Sequence, residues 1–582
     1  MPIWYAMAVL LLCLGALPAR AAEVADLVLT NGRVWTGVPQ QPWVEAMAVA
    51  KGRILKTGSR EAIGKLTGRK TQIIDLGGRM AAPGFNDAHI HFLGGALDLA
   101  IVDLNGTTSL AQIQRRVAEY ARAHPERAWI EGVGWQYSAL PGGRLPTRAD
   151  LDAIEAKRPV FLRSYDGHTV WVNSRALEIA KITPQTRAEG FGEIVRDPVS
   201  GEATGVLKES AVGLVRRHIP EPTREEQLVA LRAGMKLAAS LGITSIQNAG
   251  GSAESFALYE ELLRRGELTV RTSVALSVGP QTTDAELTEF ARIHERYKNH
   301  PMLRAGAAKL LIDGVIETHT AAMLTPYSDK PDTRGEPAYS AEVFNQLALR
   351  AHKAGLQLYT HAIGDRAVRI ALDGYEYVKN IAQPADPRFR IEHIEVVAPQ
   401  DIPRFARLGV IASMEPIHAD PGTVEVWSRA VGPERTERAF AWADLAAGGA
   451  RLVFSSDWPA AISLDPLRGL HSAVNRRTLE GTPPGGWVAR QRVDLQRALR
   501  AYTAEGAYAS FEENFKGRIA PGMAADLVVF SQDLFTIDPL QIGSTKVVLT
   551  VFDGKVIYRD AERFANGGEA SRNPKERLLQ SM

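Results

Sequence analysis

The feature that most constrains this chain is a long alternation between β-rich apolar runs and amphipathic stretches with helical spacing. Runs at 80–91, 243–249, 270–277, 307–313, 357–361, 390–396, 410–415 and 451–457 each end in polar residues, and segments such as 225–241 and 341–354 between them carry a helical apolar stripe. Alternation of this kind packs as parallel β/α units. Eight units predict an α/β fold, a (β/α)8 TIM barrel, in which functional groups sit at the C-terminal ends of the strands.

The ends of the chain have a different texture. Residues 22–80 read as short strands broken by Asn31-Gly32 and Lys51-Gly52, and residues 516–560 repeat the pattern around Asp553-Gly554. Apolar alternation around such turns signals hairpins. The two halves predict a composite β-sandwich built from both termini, with the barrel at 81–515 between them. The segment from about 105 to 224 has strands of its own around 129–135 and 160–165 and no place in the count of eight, so it reads as an insertion covering the substrate. Residues 561–582 are polar and read as a frayed tail.

Charge excludes some classes of partner. Lys+Arg number 68 against 66 Asp+Glu, a net charge of +2 with no long basic run, so the footprint of a nucleic-acid binder is missing. Hydrophobic residues at 45% and charged residues at 23% exclude a disordered chain or a multi-span membrane protein. A small neutral molecule fits better, and a homo-oligomer is compatible with the composition. The apolar run 4–17 is short for a bilayer span but suits a signal peptide, and Ala19-Arg20-Ala21 supplies a small-x-small cleavage site, although the segment before the run has no Lys or Arg. The expectation is a signal peptide at 1–21 and export to the periplasm or medium, with no membrane span after cleavage. The single cysteine, Cys13, lies in that segment. A mature chain would hold no disulfide, thiolate metal site or cysteine nucleophile.

Polar residues at the predicted strand ends carry the chemistry. His89 and His91 are two apart on one strand, so both imidazoles face the same side and can chelate one ion. His361 and His393 close two further strands, where each alone reads more readily as a hydrogen-bonded structural histidine. Asp457 ends the last strand and could simply cap a turn. Lys309 lies inside an apolar strand, where an unpaired ammonium is costly.

Two His on strand one, Lys on strand four, His on strands five and six and Asp on strand eight together resemble the amidohydrolase superfamily. The stretches Pro83-Gly-Phe-Asn-Asp-Ala-His-Ile-His91, Leu140-Pro-Gly-Gly-Arg-Leu-Pro-Thr-Arg-Ala-Asp-Leu151, Asp166-Gly-His-Thr-Val-Trp-Val-Asn-Ser174 and His361-Ala-Ile-Gly-Asp-Arg-Ala-Val368 narrow the resemblance to the amidohydrolase family 3 (YtcJ-like) branch, over about residues 26–560. Asn86 departs from the apolar residue many relatives carry there and leaves the chelating pair intact. The resemblance implies a metal-dependent hydrolase of non-peptide C–N bonds, acting on an N-acyl or N-formyl amide as N-substituted formamide deformylases and D-aminoacylases do. It implies one or two divalent ions, Zn2+ foremost. His89, His91 and Asp457 would hold one ion, His361 and His393 the other, and Lys309, carboxylated by CO2, both. Metal-activated hydroxide would attack, with Asp457 moving the proton.

Secondary candidates are His168 and His418, either of which could polarise a carbonyl or bind a substrate carboxylate, or be a packed histidine. Arg334, His319 and Asp365 could shape the pocket, and Trp135 and Tyr137 could form an aromatic subsite or pack in a core. Alternative functions are a cyclic amide, carbamate, ester or lactone hydrolase on the same groups, or a catalytically silent binding or regulatory protein.

Overall fold

A computed structural model of the chain describes residues 24–140, 144–165, 167, 169–188 and 192–564. The expected signal peptide lies outside the described residues, as does most of the expected tail. No helix among the described residues is long and apolar enough to cross a membrane.

Eight parallel strands form the central sheet in sequence order: β1 (Phe85–Ile90), β2 (Ile243–Ala249), β3 (Arg271–Ser277), β4 (Leu303–Leu311), β5 (Gln357–Ala362), β6 (Arg390–His393), β7 (Ile411–Met414) and β8 (Arg451–Phe454). Just past the end of β8 the chain meets β1 again. Asp457 N donates to His89 O at 2.8 Å and His91 N to Trp458 O at 2.9 Å. The sheet is thus a nearly closed barrel. Outside it pack α1 (Arg224–Ser240), α2 (Ala341–Lys353), α3 (Asp365–Ala382) and α4 (Pro466–Asn475) among others. The start of α1 is set by a capping box, in which Thr223 and Glu226 satisfy each other's backbone amides. Its buried face, Leu228, Leu231, Met235 and Ala238, joins the main apolar core with Ile243 and Ile246 of β2.

The expected first strand, 80–91, is two strands. Met80–Pro83 pairs antiparallel with Leu527–Phe530 and parallel with Arg33–Trp35, whereas Phe85–Ile90 pairs with β2. The break is local and physical. Pro83 has no amide proton to continue a ladder, and at Gly84 a side chain would collide with Thr244, whose Oγ1 lies 2.3 Å from the Cβ position. The sixth strand likewise stops at His393 rather than 396, because His393 (φ 72) and Ile394 (φ 50) take left-handed conformations that no strand can continue.

Both termini contribute to one six-stranded sheet, ordered Lys555–Arg559, Val547–Phe552, Leu527–Phe530, Met80–Pro83, Arg33–Trp35, Trp43–Val44. A four-stranded sheet, Arg53–Gly58, Ala46–Ala50, Leu27–Thr30, Gln72–Asp75, shares an apolar cluster with it through Leu29, Met47, Leu527 and Val529. Buried Arg271 at the start of β3 ties the barrel to this region by ion pairs with Asp526 at 2.6 Å and Asp553 at 3.0 Å.

The inserted segment has a six-stranded sheet, ordered Glu193–Arg196, Ala203–Lys208, Thr169–Val172, Val160–Ser164, Ile130–Trp135, Val102–Asp103. It begins a little before residue 105. Leu162 and Trp171 face one apolar cluster, and their chain neighbours Phe161, Val170 and Val172 face another, the period-two pattern of a sheet covered on both sides. Trp135 belongs to the first cluster, fully buried, with its indole N–H donated to Leu162 O at 2.9 Å. The aromatic-subsite reading of Trp135 is therefore replaced by core packing, since neither its ring nor its N–H is free for a ligand.

Candidate metal centre

The ends of β1, β4, β5 and β6, and the segments after β7 and β8, bring the expected groups to one place. His89 and His91 leave β1 two residues apart, with ring centroids separated by 5.6 Å. Their Nε2 atoms lie 3.4 Å and 3.3 Å from Asp457 Oδ1. Lys309 Nζ stands 3.2 Å from His89 Nε2. The His393 ring lies 4.8 Å from that of His89 and 4.4 Å from that of His361. His418 stacks on His393 at 6.0 Å and places Nε2 3.6 Å from Asp457 Oδ2. Two overlapping sets, His89–His91–Asp457 and His393–His418–Asp457, have donor atoms within 4.8 Å of one another.

His418, given only a substrate role in sequence, groups with His393 and Asp457, while His361 turns its Nε2 to Gly314 O at 3.2 Å and Asp313 at 3.6 Å. His168 lies outside the described residues. His319 pairs with Asp329 at 2.8 Å, Asp365 accepts the amide of Leu324 at 2.8 Å, and the backbone carbonyl of Arg334 accepts Met323 N at 2.7 Å.

Behind the imidazoles stands a ring of carboxylates that the sequence reading missed. His89 Nδ1 meets Glu392 Oε2 at 2.8 Å, and His393 Nδ1 meets Glu415 Oε2 at 2.9 Å. Where the carboxyl oxygen accepts an Nδ1 proton, the Nε2 lone pair faces the centre of the cluster, which is the tautomer a metal ligand needs. Glu392 is held by Arg390 at 3.0 Å. Glu395 accepts Trp427 Nε1 at 2.7 Å and faces His418 Nδ1 at 3.5 Å. Asp313 accepts the amides of Ala322, Ile363 and Gly364, which fixes the loop beside His361. The signal for the glutamates was present in Glu392-His393-Ile394-Glu395, a dense acidic pattern on a strand too apolar to face water.

Burial sets the charge states. Desolvation drives the His89 and His361 imidazoles well below their usual value, and brings His393 down to about 3, so all three are neutral with lone pairs available. Burial would also lower His418, but its contact with Glu395 and the charges of Asp457 and Glu415 raise it to about 9. Burial would raise Asp457, yet the approach of His91 Nε2 at 3.3 Å and the neighbouring His393 and His418 hold it well below the carboxylate range. Asp457 is therefore ionised, and its Oδ1 has no hydrogen-bond partner. Neutral imidazoles around an ionised carboxylate with an orphaned oxygen form a donor set suited to a divalent cation. The residues fit the group.

A cavity of about 380 Å³ opens at the other end of the barrel, lined by Arg304, Gln357, Tyr359 and Arg390 among others. The Tyr359 ring, 5.3 Å from that of His89, stands between the two ends. The chemistry belongs to the mouth, where the titratable groups converge.

Residues 72–558 match the model of the amidohydrolase family. The chain belongs to the amidohydrolase family. It is 32% identical over 564 residues to Protein LONG AFTER FAR-RED 3 of Arabidopsis thaliana, with 94% of each chain covered. It is 27% identical over 550 residues to the N-substituted formamide deformylase of Arthrobacter pascens, covering 92% of this chain and 99% of the relative. Among solved structures, an uncharacterized metal-dependent hydrolase of Pyrococcus horikoshii OT3 superposes with a TM-score of 0.70 at 25% identity, covering 88% of this chain and 99% of that one. These findings make the chain a hydrolase of the amidohydrolase family with a candidate metal centre.

Proposed function

We propose that the chain is an exported, metal-dependent hydrolase of small-molecule C–N bonds other than peptide bonds, with an N-acyl or N-formyl amide as substrate. The observation that carries the reading is the convergence of His89, His91, His393 and His418 on the ionised carboxylate of Asp457, one oxygen of which no protein donor satisfies. His89, His91 and Asp457 would hold one cation, His393 with His361 a second, and Zn2+ suits imidazole and carboxylate donors. A cation bound there supplies Lewis-acid polarisation of the scissile carbonyl and lowers the pKa of water.

The protein's own groups do the rest. Asp457 accepts a proton from the attacking water and delivers it to the leaving nitrogen, so that amide and water become acid and amine. His418, kept cationic by Glu395, orients Asp457 from the other side and offers an N–H to the substrate oxygen. Lys309 Nζ, whose pKa desolvation lowers, is disposed to react as the free amine with CO2. That step forms an N–C bond, releases one proton and yields a carbamate whose oxygens would be anionic ligands. Similarity to the formamide deformylase of Arthrobacter pascens supports the substrate class. The apolar run 4–17 with Ala19-Arg20-Ala21 supports export.

The test is a hydrolysis screen of N-formyl amines, N-acyl-D-amino acids and lactones on protein of measured metal content. Turnover of the amides, proportional to bound metal, is expected. Faster turnover of lactones would replace the reading by an ester hydrolase, and full metal content without turnover of any substrate would make the chain a binding protein.

A further inference from the structure

Arg476 follows the last residue of α4 and has the left-handed conformation (φ 53) that ends that helix. Its side chain is fully buried, stacked with Cζ 3.9 Å from the centroid of Trp442 and 5.5 Å from that of Trp487. Nη2 donates to the carbonyls of Ala439 at 3.1 Å and Phe440 at 2.6 Å. Nε and Nη1 have no partner, and no carboxylate among the described residues pairs with the guanidinium. The charges that act on it most, Arg490 and Arg492, are themselves cationic. Two further buried polar atoms, Nε1 of the Trp442 ring it stacks against and Ser472 Oγ on α4, are also without partners. Ser472 lies one helical turn before Arg476, whose amide it accepts at 2.9 Å.

A guanidinium does not discard its proton inside a protein. A buried charge with unmade hydrogen bonds is expensive, and natural proteins pair such charges. Water would fill the empty hydrogen bonds but leave the charge. What is missing is an acceptor that is negative and, because Arg476 is sealed from solvent, small.

We propose that Arg476, stacked on Trp442, forms an internal binding site for a small monovalent inorganic anion of the chloride type. The site lies behind the metal cluster rather than in it. The Ala439–Phe440 turn it anchors is bonded to strand β6's extension through Phe440 N to Glu395 O at 2.9 Å, and Glu395 is the residue that faces His418. The inference does not depend on the catalytic reading.

The experiment uses the full chain. Crystals grown in sodium bromide should show an anomalous peak within hydrogen-bonding reach of Arg476 Nε or Nη1. In solution at constant ionic strength, Tm should rise saturably by about 2 °C or more as sodium chloride replaces sodium gluconate, whose anion is too large to enter. Arg476→Met, which removes the charge but keeps an unbranched side chain, should give a Tm indifferent to that exchange. Ordered water alone at Arg476 in the bromide crystals would overturn the proposal. So would a bromide peak accompanied by equal Tm in chloride and gluconate, which would mark an adventitious ion only. If Arg476→Met does not fold, the two measurements on the unaltered protein still decide.

Discussion

The backbone amide of Asp457 donates to the carbonyl of His89 at 2.8 Å, and this bond across the seam between β8 and β1 sets the Asp457 carboxylate among the imidazoles. Asp457 has a left-handed backbone (φ 58), an uncommon conformation for aspartate outside turns and functional sites. The same seam carries His91 N to Trp458 O, so closing the barrel and assembling the site are one event.

Replacing His89 and His91 together by Ala should remove at least one metal ion per chain and nearly all turnover. The fold should survive, because these groups stand at strand ends and not in the packed layers between strands and helices. Metal analysis and circular dichroism check both parts. Full metal content in the folded double variant would show the ligands to be elsewhere. Chelation of the unaltered protein should lower its Tm, since an ion that binds only the folded state stabilises it by mass action.

Glu415→Gln tests the carboxylates behind the imidazoles. The amide keeps the size of the side chain and can accept an Nδ1 proton from His393, but it cannot ionise. Loss of such an outer partner typically weakens metal affinity by about 10 to 100-fold. Competition with a chromophoric chelator measures this directly. Unchanged affinity would reduce Glu415 to a packing role with Ser455, whose hydroxyl it accepts at 3.0 Å.

Much of this was legible in sequence for a physical reason. Apolar runs and helical stripes are local patterns, so the eight strands and helices such as α1 and α2 could be read from them. His89 and His91 were legible because spacing by two fixes a common face. The partnerships were not. Glu392 is 303 residues from His89, and Glu415 is 22 residues from His393 just past the end of the neighbouring strand, and no local pattern says which carboxylate meets which imidazole. The break at Gly84 was hidden because Met80–Pro83 and β1 are equally apolar and differ only in their partners. His361 and His418 looked alike as lone histidines; the carbonyl of Gly314 and the carboxylate of Glu395 distinguish them.

Asp457→Asn removes both an anionic ligand and the proposed proton carrier at nearly constant volume. kcat should fall by about 10² to 10⁴, the usual worth of general acid–base catalysis. The fall should be smaller for substrates with good leaving groups, which need no proton. Equal losses for an anilide and an activated ester would remove the proton-delivery role and leave Asp457 a ligand.

Lys309 gives the sharpest test, because its proposed role requires its charge to reverse from ammonium to carbamate. An ammonium 3.2 Å from His89 Nε2 would compete with any cation for that lone pair, whereas a carbamate would join it in binding one. Lys309→Ala should therefore lose most turnover and weaken metal binding. A short carboxylic acid such as acetate or propionate fits the vacated space and carries the missing oxygens, so added acid should restore part of the activity saturably. Lys309→Arg should not be rescued, since its guanidinium fills the space and keeps the positive charge. Intact mass of gently prepared protein should carry the added CO2. An unmodified lysine in fully metallated, active protein would exclude the carbamate and leave Lys309 as a hydrogen-bond donor beside a single ion held by His89, His91 and Asp457.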